Sequence, residues 1–142
     1  MKRVVTFIML IIFYSCSSDD SALEKIALTN QNIVGTWQIN GRKVSAGGSL
    51  PKEFNPIEEG TILIFELDGT YKNVTHASEE LISAGKFSFS ESSLELLPET
   101  EEGDAVEKRS YDITLYENEM VVFPTGPLVC TEGCLFRYIR VE

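Results

Sequence analysis

The sequence is poor in the side chains that usually carry chemistry, with one histidine and three cysteines among 142 residues. A serine or cysteine nucleophile usually needs a base beside it, and the lone His76 falls in a polar stretch next to Ser78, Glu79 and Glu80. The expectation is therefore a protein that is not an enzyme, with His76 on the surface at a strand end. Structural zinc sites take four nitrogen or sulfur ligands, so no metal site is expected. No cofactor is expected either, because Gly47-Gly48 follows no strand-to-helix junction that would cradle a phosphate. The stretch holding Glu99, Glu101, Glu102, Asp104 and Glu107 lacks the alternating pattern and closing glutamate of a calcium loop, and reads as a solvated acidic loop. Cations are scarce as well, 12 against 22 acidic residues, with no basic cluster beyond Lys108-Arg109 and the pair Arg137 and Arg140. Nucleic-acid binding depends on lysines and arginines neutralising phosphates, so no nucleic-acid partner is expected.

Also absent is an apolar run of the roughly 20 residues that a spanning helix needs. Residues 4–14 form a shorter run, preceded by Lys2 and Arg3 and followed by Ser15 and Cys16. A short charged start, an apolar core and a small residue at its end describe a secretory signal peptide. The chain is read in three parts: a signal peptide at 1–15, a tether with a short helix at 16–32, and one domain at 33–142. Loss of Lys2 and Arg3 leaves 10 basic against 22 acidic side chains, so the mature chain is more acidic still.

The Ser15-Cys16 junction resembles the lipobox of bacterial lipoproteins, although Phe13 and Tyr14 are bulkier than the residues usual there. The resemblance implies cleavage before Cys16, a diacylglyceryl group on its sulfur and usually an acylated amino terminus. Two or more acyl chains hold a protein on a membrane where one binds only marginally. The polar acidic run Ser17-Ser18-Asp19-Asp20 looks like the export signal by which lipoproteins of Bacteroidetes reach the outer leaflet of the outer membrane; a plain solvated tether is the alternative. With Cys16 lipidated, Cys130 and Cys134 remain, four apart in a compartment where disulfides persist. They are expected to pair, Gly133 supplying the positive φ that a tight turn wants.

The rest is an all-β pattern. Residues 22–32 place Leu23, Ile26 and Ala27 at helical spacing, predicting a turn or two of helix that plugs one end of the domain. Residues 34–40 read as a first strand, extended past a bulge at Gly41, and residues 41–59 as a long surface loop. Strands then recur at short intervals: 62–67, 70–75, 85–89, 94–96, 110–116, 120–123 and 134–141. Asp68-Gly69 gives the sharpest hairpin signal. Pro124 and Pro127 are expected to stop the next-to-last strand. About eight strands with local connections make an antiparallel up-and-down meander the simplest topology, and closing it removes the exposed edges.

Gly35-Thr36-Trp37 looks like the G-x-W motif of lipocalin-like domains, residues 65–71 look like the hairpin common in lipocalin-like lipoproteins, and residues 136–140 like their closing strand. The resemblance implies a lipocalin-like β-barrel in which a basic residue of the last strand, Arg137 or Arg140, lies across Trp37. Aromatic residues recur on the presumed inner face, and Tyr71, Phe87 and Tyr111 are the candidates to line a pocket for a small apolar or amphipathic molecule. A barrel of this size is just wide enough either to be filled by side chains or to hold one small ligand. A surface module binding an unspecified protein or glycan through residues 41–59 is the other reading.

Overall fold

Each strand alternates apolar and polar residues, so a sheet made from them has one face to hide, and hiding it is achieved by curling the sheet shut. The computed structural model describes residues 23–45, 47–99, 107–127, 130 and 133–141. A short helix α1 (Asn30–Ile33) precedes nine strands: β1 (Gly35–Val44), β2 (Asn55–Pro56), β3 (Thr61–Phe65), β4 (Thr70–Thr75), β5 (Leu81–Ser90), β6 (Ser93–Pro98), β7 (Arg109–Leu115), β8 (Glu119–Gly126) and β9 (Cys134–Val141). All pairings are antiparallel. From β3 to β9 the sheet follows chain order, β3 pairs with β1, and β9 returns to β1 along a seam running from Thr36–Val141 to Val44–Cys134. The two-residue β2 only flanks β1 at Gly41 and Arg42, beyond the reach of β3. Eight strands therefore close a meandering barrel, as the spacing of the alternating runs implied.

Local chemistry explains the tightest hairpin. Gly69 takes φ +84°, its amide donates to Glu66 O at 3.2 Å, and Asp68 Oδ1 accepts from the Thr70 hydroxyl and, at 3.0 Å, from the Thr70 amide. The Thr70 hydroxyl, then its amide, hold the Asp68 carboxyl below the usual range. Phe65 and Tyr71, the register partners flanking this turn, are both about 1% exposed, so the turn delivers two large rings to the core.

Three bulges alter the pattern. Asn40 is the extra residue between Ile39 and Gly41 on β1, one position before the bulge expected at Gly41, which is itself paired with Arg137. On β5, Ser83 opposes Asn73 and Leu81 opposes Val74, leaving Ile82 extra; Leu81 and Ile82 are consequently both exposed, and this strand begins four residues earlier than its alternation indicates. The expectation that Pro124 ends β8 is corrected. The strand runs to Gly126, because Thr125 is an extra residue between the Tyr111–Pro124 and Ser110–Gly126 pairs, and a bulge tolerates a proline that cannot donate.

The short helix is also displaced from its expected position. Residues 23–28 are not helical: the Ile26 amide donates to Leu115 O at 2.9 Å, fastening the segment to the end of β7, with Ile26 and Leu28 against the core. Helix begins only where Thr29 Oγ1 caps it, accepting from the Asn32 amide at 3.2 Å. Its fully buried Ile33 plugs the barrel end together with Trp37, Phe65, Leu115 and Met120. At the other end, Cys130 and Cys134 form a disulfide, with Gly133 at φ +86° and its amide donating to Cys130 O. Every described strand and core residue lies after residue 22, so a chain begun at Ser21 retains the whole described core.

Candidate functional site

The two ends of the barrel differ in chemistry. At the closed end Trp37 is fully buried and its Nε1 donates to Ile33 O at 2.7 Å. Arg140, its register partner on β9, covers the ring with Cζ 4.2 Å from the centroid. The guanidinium donates to Val34 O (2.9 Å), Glu117 O (3.2 Å) and Asn32 O, gathering the last carbonyls of α1 and the β7–β8 turn. Gly35 is required beside it: φ is +134°, and a Cβ there would lie 2.7 Å from Arg140 Nη1. Of the two arginines considered for Trp37, Arg140 therefore takes the place. Arg137 lies over Phe54 instead, 4.9 Å from its centroid, with Nε donating to Asn40 Oδ1 at 2.9 Å. Lys43 covers Phe54 as well, at 4.4 Å. This end is filled.

Toward the other end the inner positions become polar. An inner chamber of about 50 Å³ is walled by Leu63, Leu94, Leu96 and Met120, but also by Asn73, Ser83, Arg109, Tyr111 and Tyr138. A mouth of about 280 Å³ lies beyond it, walled by Ile39, Pro124, Gly126, Cys130 and Phe136. Arg109, Tyr111, Val122 and Tyr138 belong to both walls, so the two spaces adjoin at these side chains. The largest space among the described residues, about 570 Å³, is a groove outside the closed end between residues 23–32 and the turn at 116–119. It has none of the described unpartnered buried polar atoms.

The described atoms of that kind belong to β4 and β5: Asn73 Oδ1 and Ser83 Oγ, on register partners that line the chamber, and Tyr71 Oη, near Ser83. A buried polar atom left unpaired costs about 1–3 kcal/mol. The tyrosines are strongly protonated. Burial pushes the Tyr71 phenol up, with the nearby Ser83 hydroxyl offsetting only part of the rise and making no hydrogen bond of good geometry. Burial also raises Tyr111, against the pull of Arg109 beside it. Tyr138 keeps some exposed surface, yet the protein around its phenol pushes it up to about 12, burial first and then the nearby Tyr111. All three remain hydroxyl donors at physiological pH.

Of the residues proposed to line a pocket, Tyr111 walls both spaces, whereas Tyr71 and Phe87 are buried in the core, Phe87 edge-on to Phe65 with centroids 5.0 Å apart. Tyr71 does not line the chamber; its hydroxyl lies near Ser83, which does. The residues missed from sequence are Asn73, Ser83 and Arg109. Asn73 and Ser83 had a readable signal, a polar residue in phase with the inward Tyr71 and the inward Gly85 and Phe87. Cys16 and the run 17–20 lie outside the described residues, as do Glu101, Glu102 and Asp104 of the acidic loop. His76 is exposed past the end of β4. No group of three His, Cys, Asp or Glu side chains comes together among the described residues.

A family model for a lipocalin-like domain matches residues 33–122, from the end of α1 to the middle of β8. No curated protein sequence matches the chain.

Proposed function

The chain belongs to the lipocalin-like domain family, and from that premise we propose that its barrel binds a small apolar or amphipathic molecule without catalysis, as a lipoprotein anchored through Cys16 at the outer membrane. The observation that carries the binding reading is the mouth of about 280 Å³ at one end of a barrel whose other end is plugged. Barrels of about eight strands hold at most one small ligand, and a one-ended, mostly apolar cup suits a molecule that enters from solvent. The anchoring reading rests on the signal-like residues 1–15 and on Cys16; the acidic run 17–20 supports display on the outer leaflet.

Each part has its own test. The chain begun at Ser21, titrated with the uncharged fluorophore N-phenylnaphthylamine, should bind it saturably and one to one, and addition of unlabelled ligand should displace it. A folded chain that shows no saturable binding would reject the pocket. Metabolic labelling of cells with an alkyne fatty acid should tag the full chain and fail to tag Cys16→Ala, so label persisting in that variant would remove the anchor.

A further inference from the structure

The chamber beyond the mouth is the wrong place for an apolar tail. It is lined by Asn73 and Ser83 with unpartnered polar atoms and by two tyrosines, and Arg109 is the one cation lining either space among the described residues. Arg109 makes no ion pair with any described residue, the one described ion pair being Lys108 with Glu95 at 2.7 Å. Arg109 is half-buried, and an anion entering either space would meet it. The mouth has the opposite character, with Ile39, Pro124 and Phe136 offering surface for a hydrocarbon body. Polarity therefore increases inward.

We propose that the chamber is a head-group site for a monocarboxylate, so that an amphipathic carboxylic acid enters head first, pairs with Arg109 and leaves its apolar body in the mouth. This rests on the ligand-binding reading above. Arg109 offers a planar fork that matches a carboxylate, and the phenol of Tyr111 stands beside it as a further donor, with Tyr138 lining the same space. The Asn73 amide and Ser83 hydroxyl, set at the chamber floor, can each turn a donor toward the same oxygens. A single cation in a chain rich in acids balances one negative charge and not two, which favours a carboxylate over a phosphate monoester. The raised pKa values of the phenols keep those donors protonated while the acid is ionised.

The test compares decanoate, decan-1-ol and decyl phosphate by calorimetry on the chain begun at Ser21, at neutral pH. Decanoate should bind one to one and at least about tenfold more tightly than the alcohol, the size of a charge-assisted hydrogen bond to a buried partner. Arg109→Met should erase that preference while leaving alcohol binding in place, and Arg109→Lys, which keeps the charge but gives up the fork, should fall between. If Arg109→Met does not fold, the wild-type chain decides: acidifying below the acid's own pKa should bring its affinity down to that of the alcohol. Equal binding of acid and alcohol at neutral pH, an undiminished preference in Arg109→Met, or tighter binding of the phosphate would each overturn the head-group assignment and leave the apolar cup standing. Binding of none of the three by the folded chain would overturn the cup as well.

Discussion

Arg140→Met should lower the free energy of unfolding by about 3–5 kcal/mol, a large part of the roughly 5–15 kcal/mol that holds a domain of ordinary size together. The reasoning is that one guanidinium serves four groups. It covers Trp37, which is worth about 0.5–2 kcal/mol, and it satisfies carbonyls of Asn32, Val34 and Glu117 at the closed end. Methionine keeps the length and much of the cover but leaves those carbonyls without their donor. Arg137→Met is the matched control, since Arg137 covers the edge ring Phe54 and donates to Asn40; it should cost about 1 kcal/mol. Urea unfolding followed by Trp37 fluorescence measures both. Equal midpoints for the two variants would show that the closed end does not depend on Arg140.

Gly85→Ala is expected to be as damaging, about 3–5 kcal/mol, though it adds a single carbon. Gly85 is buried on β5, between Tyr71 of β4 and Pro98 of β6. A Cβ at this position would fall 2.1 Å from Leu97 O and 2.8 Å from Pro98 Cα. These are backbone atoms, so no rotamer change relieves the overlap and the start of the β5–β6 pairing must part. Gly48→Ala provides the contrast, because nothing lies within 4 Å of a Cβ there and its φ needs no glycine. It should change stability by no more than about 0.5 kcal/mol. Chemical denaturation of the pair gives the answer, and a Gly85→Ala protein as stable as Gly48→Ala would contradict the close strand approach.

Where one residue's local chemistry decides the structure, the sequence was readable. Asp68-Gly69 announces its hairpin because the turn needs a positive φ and a side chain that caps its own backbone, and both are written in two letters. The alternation in β4, β6 and β7 was likewise enough to put Tyr71, Leu94, Leu96, Ile113 and Leu115 inside. What stayed hidden depends on partners far along the chain. Residues 23–28 carry helical spacing, but a backbone bond to Leu115 outweighs it. Bulges at Ile82 and Thr125 shift the phase of a strand without any compositional sign, so the exposed Leu81 and the continuation through Pro124 were beyond reach. The choice between Arg140 and Arg137 followed from register alone, since Arg140 is opposite Trp37 and Arg137 opposite Gly41. The polar chamber was half legible. Asn73 and Ser83 sit in the inward phase of their strands, but the sequence showed Arg109 only as a neighbour of Lys108, and its place on the chamber wall follows from closure of the barrel.

The seam between β1 and β9 also sets an order of events. Hairpins such as β3–β4 and β5–β6 join residues a short distance apart and form as soon as both strands exist, whereas the Arg140 bond to Asn32 spans 108 residues of chain. Closing a loop that long costs entropy that only the finished seam repays, which places it among the late and slow steps of folding. A chain made from its amino terminus must therefore hold β1 with one side unzipped until β9 has been synthesised. Any interruption before Cys134 leaves a sheet with two raw margins and an uncovered tryptophan, so folding here waits on the strand that carries Arg140.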